Sequence, residues 1–288
     1  MEVNDIVRFC DSNWESPKCS KGCNNICQGH CIKCLEHIHK VYTHDRTYNC
    51  PNIVHCYTCK YIYKYSSEIY HILKLLCRTL KIAKQVRATS IGCGPASELF
   101  GLCQYRSTHK LEFKIEYKGF EETELWKPIH TRVCQMNTAD TIDFIYSDVF
   151  EYYKQNEDYP NLLILNYVIS DVVRRYPIEK RNSFLQSLVE LIENMPKGSF
   201  ILVNDINLGN NEKGARYYHS IICQKLQAKG IQIKDIKLHF KSSLPYYFHY
   251  GNEMPNNHIV GNIPNDIEAK YDPWDECRSA ALIFRKDS

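Results

Sequence analysis

No stretch of this 288-residue chain approaches the ~20 apolar residues needed to span a bilayer. Residues 1–30 lack the apolar core of a secretory leader. These absences argue against a membrane partner and set the expectation of a soluble, cytoplasmic protein. There is no internal repeat and no low-complexity tract, which excludes repeat architectures. A strong excess of one charge is also missing: 36 Lys and Arg stand against 33 Asp and Glu. Residues 1–85 carry 12 basic and 7 acidic side chains, and the remainder 24 and 26. The mild basicity therefore lies at the N-terminal end. There it fits an anionic partner such as RNA, and fits equally the solvation of a polar module.

Residues 1–60 are also short of Leu, Ile, Val and Phe, show no clear period, and are broken by Pro17, Gly22, Gly29 and Pro51. Such a stretch cannot by itself bury enough apolar surface to offset chain entropy. What it has instead is cysteine: Cys10, Cys19, Cys23, Cys27, Cys31, Cys34, Cys50, Cys56 and Cys59. In a reducing compartment, dense cysteines point to metal rather than to disulfides. Cys31/Cys34 and Cys56/Cys59 have the CxxC spacing of zinc ligands. Two or three zinc ions are expected, with no unique pairing, and an iron–sulfur cluster is the rival. His30, His37, His39, His44 and His55 are spare ligands. Tyr42, Tyr48, Tyr57, Tyr61, Tyr63 and Tyr65 interleave with Lys33, Lys40, Arg46, Lys60 and Lys64. That mixture suits stacking plus phosphate contact, and suits a domain interface equally well. Cys77, Cys93, Cys103, Cys134, Cys223 and Cys277 are scattered and read as small core residues.

Two units are expected: a cysteine-rich, metal-stabilised module over 1–65, and a second unit over 66–288. Ser67 can cap a helix N-terminus and Glu68 can complement its positive end. Ile69, Ile72, Leu73, Leu76, Leu80 and Ala83 then predict a linking helix to about Gln85. From there apolar runs of strand length alternate with helical stretches. The strands are expected at 86–91, 113–120, 142–147, 162–167, 199–203, 233–240 and 280–284, and the clearest helices at 179–194 and 213–229. This order predicts an α/β fold with a Rossmann-like, mostly parallel sheet flanked by helices.

The first strand ends in Ile91-Gly92-Cys93-Gly94-Pro95, where two residues without a Cβ let a ligand approach the backbone. The third glycine of a dinucleotide fingerprint is absent, with Ala96 and Ser97 in its place, so a pyrophosphate is disfavoured. Acids follow at the ends of the next two strands, Glu121 and Asp148, and the fourth strand ends on Asn166 and Tyr167. A carboxylate can accept both hydroxyls of a ribose, and open α/β sheets bind ligands at these strand ends.

In this order the motifs IGCGPASE, YKGFEE, FIYSDVF, NLLILNYVISDV and PKGSFILVND resemble the class I S-adenosylmethionine-dependent methyltransferases over about residues 86–288. The resemblance implies that the turn Gly92, Cys93, Gly94 and Pro95 passes close to the cofactor. It implies Glu121 on the ribose, Asp148 and Val149 at the adenine, and Asn166 with Tyr167 near the methionine moiety. Amino-directed base methyltransferases of this fold resemble one another in an Asn/Asp-Pro-Pro-aromatic stretch where this chain has Asn166-Tyr167-Val168-Ile169, and no cysteine lies between Cys134 and Cys223 to serve C5 chemistry. Both amino-directed and C5-directed base chemistry are therefore disfavoured. Tyr167 and Asp171 are the candidates for a base, with helix capping the alternative for Asp171; Arg174 and Arg175 read equally as a solvated face. The aromatic run 245–251 and the loop to Trp274 are a second candidate acceptor surface. Two readings stand: a methyltransferase acting on RNA, or on a protein or small molecule, and a non-catalytic zinc-dependent scaffold whose Rossmann-like domain senses the cofactor or holds nothing.

Overall fold

The computed structural model describes residues 1–14, 31–40, 50–76, 84–207, 214–235, 252–253 and 258–288. Among the described residues eight strands form one sheet: β1 (Gln85–Ile91), β2 (Lys114–Phe120), β3 (Thr141–Ile145), β4 (Leu162–Asn166), β5 (Phe200–Ile206), β6 (Ile233–Asp235), β7 (Asn252–Glu253) and β8 (Ser279–Lys286). Their order is β3-β2-β1-β4-β5-β8-β6, with β7 also paired to β8. The first five are parallel, and β8 runs antiparallel to β5, β6 and β7. Chain direction across the sheet reverses between β1 and β4, the switch point at which open α/β sheets bind ligands.

The expected strands are found close to their predicted places because their signal is local. β4 and β5 are buried almost throughout, as continuous runs such as Leu162-Leu163-Ile164-Leu165 require of strands covered on both faces. The expected strand at 233–240 is seen over 233–235, and the rest of it lies outside the described residues.

Alternate strand residues feed two cores. On one face Val86, Ala88, Leu162, Ile164 and Leu202 pack under α1 (Val3–Asn13), α2 (Cys31–Lys40), α3 (Pro51–Leu75), α4 (Ser97–Thr108) and α5 (Lys127–Met136). On the other, Ile91, Leu163, Leu165 and Val203 pack under α6 (Val149–Gln155), α7 (Val168–Arg175), α8 (Ile178–Asn194) and α9 (Ala215–Ala228). A last helix, α10 (Asn265–Tyr271), lies against α1 and α3.

The N-terminal segment departs from the sequence reading. Ile6, Val7, Leu35, Ile38, Ile53 and Val54 are buried in the same core as the sheet. Sparse apolar residues suffice because they fall on one face of each helix and have a ready-made surface to cover. The predicted linking helix also begins earlier, at Pro51 in the first turn, and is seen through positions 65 and 66 to Leu75, while Leu80 and Ala83 of its expected course lie outside the described residues. Ser67 is therefore not its cap: the Ser67 hydroxyl donates to the Tyr63 carbonyl and accepts from Val260 N–H. Glu68 does not meet a helix terminus but is fully buried. Close packing of α3 on α4 depends on Gly101, where a Cβ would lie 2.7 Å from the Ser66 carbonyl oxygen. Cys134, expected in the core, is exposed.

Candidate functional site

The carboxyl ends of β1, β2 and β4 open on a cleft of about 990 Å3, the upper end of the usual range for ligand pockets, ~300–1,000 Å3. Gly92 and Gly94, φ +62° and +47°, turn the chain from β1 towards α4. Only glycine takes this conformation freely. Gly94 N–H donates to Glu121 Oε2 (3.0 Å) and Cys93 N–H to the Phe120 carbonyl (3.0 Å), which binds the turn to the end of β2. Burial pushes the Glu121 carboxyl up to about 7, against the opposing pull of the Gly94 and Glu122 amides.

Gly92, Gly94, Glu121, Asp148, Val149, Asn166 and Tyr167 all line the cleft. Cys93 and Pro95 do not: both are buried beneath the turn. Asp148 caps α6, its Oδ1 accepting from Phe150 N–H (2.8 Å) and Glu151 N–H (3.0 Å). The side chain is exposed and its second oxygen is unused by these bonds. Asp171 lines the cleft and pairs with Arg175 at 3.3 Å. The amide near the start of α7 is instead taken by Asp205, whose Oδ2 accepts from Ser170 N–H at 2.9 Å. Arg175 also reaches Glu122 at 3.5 Å.

Behind these residues lie groups that no sequence signal marks. His130 on α5 stacks on Phe144 at 3.8 Å between centroids. Its Nε2 lies 2.6 Å from the Gly94 carbonyl and its Nδ1 2.7 Å from the Tyr146 hydroxyl. A carbonyl only accepts, so Nε2 carries the proton and Nδ1 accepts from Tyr146. Burial holds the ring near 4 and keeps it neutral at physiological pH. His130 thus pins the glycine turn from below.

A buried polar chain crosses the cleft floor. Asn166 donates to Glu98 Oε1 (2.8 Å) and accepts from Asn204 (2.8 Å), and Asn204 donates to Glu68 Oε2 (3.0 Å). Glu68 also accepts from the Tyr167 hydroxyl (3.0 Å) and Arg278 N–H (3.1 Å), and lies 3.5 Å from Lys64 Nζ. Lys64 donates to the Tyr167 hydroxyl at 2.8 Å. Tyr167 holds a left-handed backbone, φ +60°, a strain that persists where surroundings over-determine it. Burial, then the Glu68 charge, push its phenol well above the usual range. Tyr167 therefore keeps its proton at neutral pH.

The aromatic residues of the sequence divide. Tyr57, Tyr61 and Tyr65 stand one turn apart on α3 and line the cleft with Trp274, while residues 245–251, Tyr42 and Tyr48 lie outside the described residues. Of the nine N-terminal cysteines, Cys10, Cys31, Cys34, Cys56 and Cys59 are buried, Cys50 is half-buried, and Cys19, Cys23 and Cys27 lie outside the described residues. Among the described residues no group of three or more His, Cys, Asp or Glu is placed to hold a metal ion. No helix among them is long and apolar enough to cross a membrane.

No family model and no curated protein matches the chain. Among solved structures it is similar to a precorrin-6y C5,15-methyltransferase from Geobacter metallireducens GS-15, at 10% identity and a TM-score of 0.44, over 76% of this chain and 87% of that one. It is also similar to an rRNA methylase from Streptococcus thermophilus, at 6% identity and a TM-score of 0.41, over 75% of this chain and 93% of the other. Likeness at this level concerns the fold alone and says nothing of the acceptor.

Proposed function

We propose that the chain is an S-adenosylmethionine-dependent methyltransferase with RNA as its preferred acceptor. The observation that carries the cofactor reading is one cleft at the switch point lined by the glycine turn, Glu121, Asp148 and Asn166. The fit is chemical: Gly92 offers exposed backbone without a side chain, and Glu121 and Asp148 offer acceptors to hydroxyl and amino donors. Glu121 would hold the ribose, Asp148 the adenine amino group through its unused oxygen, and Val149 the adenine face. Bound S-adenosylmethionine supplies a methyl group on a positively charged sulfonium. The task left to the protein is alignment and exclusion of water. Tyr167 serves as a positioning residue, since its hydroxyl is held by Glu68 and Lys64. Asp171, paired with Arg175 on the cleft wall, is the candidate to take a proton from the acceptor.

Calorimetric titration with S-adenosylmethionine and S-adenosylhomocysteine tests this. Saturable binding near one per chain is expected, weakened about tenfold or more in Glu121→Ala by loss of hydrogen bonds to a charged group. Affinity should also rise between pH 6 and pH 8 as Glu121 ionises through about 7. No binding by the folded protein leaves the scaffold reading. Binding with no transfer to any RNA, protein or small molecule leaves a cofactor sensor.

A zinc-binding role for the N-terminal cysteines is proposed on their spacing and on the packing of α2 against α3, which brings the two CxxC pairs onto neighbouring helices. The described residues do not complete a ligand set, so Cys19, Cys23 or Cys27, or the histidines His30, His37, His39 or His44, would contribute. Elemental analysis of the purified chain should find zinc without iron. Iron with sulfide would mean a cluster, and neither metal would mean free thiols.

A further inference from the structure

One wall of the cleft takes no part in the contacts assigned to Gly92, Glu121 and Asp148, and it belongs to α3. Tyr57, Tyr61 and Tyr65 follow one another along that helix. Tyr61 lies nearly parallel to Tyr65, at 18° and 5.8 Å, and Tyr65 meets Tyr167 at 4.4 Å on the cleft floor. At the mouth Trp274 stands edge-on to Tyr61 at 4.7 Å. Trp274 is 42% exposed, one of three large apolar side chains so exposed among the described residues. A tryptophan held by its backbone N–H to the Lys60 carbonyl (2.9 Å), yet open at a cleft mouth, presents a ring to something outside.

The polar group of this wall is Lys64. It is buried, and its Nζ lies 4.8–5.4 Å from the ring centroids of Trp274, Tyr167 and Tyr65. An ammonium has three donors. One meets the Tyr167 hydroxyl, the Glu68 carboxylate lies 3.5 Å away as the ion-pair partner, and Lys64 lines the cleft. Lys60, one turn earlier, differs: its donors go to the carbonyls of Tyr271 and Asp272. Lys64 can only donate, so a molecule against this wall must bring an acceptor atom. The ammonium also fills the place in the ring of aromatics that a guest cation would take. A protonated amine is thereby disfavoured, whether free or on a protein lysine.

Resting on the methyltransferase reading, we infer that the α3 wall is the acceptor site and takes a planar, uncharged aromatic ring bearing a hydrogen-bond acceptor, a nucleobase in chemical class, stacked on Trp274 and oriented by Lys64. A base reaches such a wall from either of two sources, as a free nucleoside or as an unpaired residue of an RNA strand. Stacking a base on an aromatic side chain is worth ~1–3 kcal/mol, which corresponds to a change in affinity of about 5- to 150-fold.

The test is equilibrium titration of the full chain, saturated with S-adenosylhomocysteine, with the four ribonucleosides, a mixed-sequence single-stranded RNA and a lysine peptide. Nucleosides, RNA or both should bind, and the peptide should not compete. Binding of nucleosides identifies the free source, and binding of RNA alone identifies the strand. Trp274→Ala should weaken binding about tenfold and Trp274→Phe far less, with S-adenosylhomocysteine affinity unchanged in both. Lys64→Gln made together with Glu68→Gln removes both charges of the buried pair, and should lose acceptor affinity. If the cofactor analogue binds but neither nucleosides nor RNA do, or if Trp274→Ala binds them as the parent does, this assignment falls and the methyltransferase reading stands. If the analogue itself does not bind, both fall.

Discussion

The sheet and the α3 layer meet across one cleft but are held by different forces. The central strands bury mainly aliphatic side chains on both faces and pair with a neighbour along each edge. Helix α3 buries Thr58, Lys60, Lys64, Ser66, Ser67, Glu68 and His71 beside its apolar residues. Several of these bind far segments: Lys60 to Tyr271 and Asp272, His71 to the His258 carbonyl, Ser67 to Val260, Glu68 to Asn204 and Arg278. Apolar burial is tolerant of direction, whereas a buried polar bond is not. The sheet therefore sets the architecture, and the directional contacts of α3 fix which residues of the C-terminal segment face the cleft.

The largest expected effect is on Glu68. Glu68→Ala leaves Lys64 buried without its carboxylate and strands the Tyr167, Asn204 and Arg278 donors. Removing one partner of a buried pair costs about 3–5 kcal/mol. Thermal unfolding followed by both circular dichroism and tyrosine fluorescence should show one transition at a lower temperature. Two separate transitions would mean that α3 is an appended module whose polar bonds do not tie it to the sheet.

Gly101→Ala sharpens the same point at the α3–α4 contact. The added Cβ would meet backbone at 2.7 Å and Ile69 at 2.8 Å, so the helices must separate. Overpacking of this kind costs about 1–3 kcal/mol, although alanine favours the helix intrinsically. Greater stability in denaturant titration would mean that the close approach is not required.

Legibility in the sequence divides along the same line. Strand positions, the glycine turn and the acids at strand ends are local signals, and each is found near its expected place. The start of α3 is not legible, because Ser67 and Glu68 form a plausible cap when only neighbours in sequence are considered. Their partners, Val260, Asn204 and Arg278, lie 136 residues or more away along the chain, and no spacing rule points there. His130 is silent for the same reason: its partners Gly94 and Tyr146 come from two other elements. Burial of Ile6 or Leu35 cannot be foreseen from so polar a segment, because the surface they cover is supplied by the sheet domain.

Buried acids give a pH signature. Burial raises Glu98 to about 7 and Asp205 to about 6. A raised carboxyl contributes stability that is present below its ordinary value and lost as pH rises through the folded one. The melting temperature should thus fall from pH 5 to pH 8. Glu98→Gln keeps the acceptor for Asn166 without the charge. It should gain about 1–3 kcal/mol at pH 8 and change little at pH 5. An equal effect at both would assign Glu98 no ionisation in this range.

The smallest effect separates two roles held by one side chain. Asp148 caps α6 through Oδ1, and its other oxygen is the one assigned to the adenine amino group. Asparagine is as good a cap as aspartate, while alanine is not. Asp148→Asn should therefore leave the melting temperature unchanged, and Asp148→Ala should cost about 1 kcal/mol. At the cofactor the ranking differs. An asparagine that caps through its oxygen turns an NH2 towards the adenine amino group, donor against donor. Both variants should then bind S-adenosylhomocysteine more weakly than the parent protein. If Asp148→Asn binds it as well as the parent does, Asp148 is a cap alone, and adenine is held by other residues of the cleft.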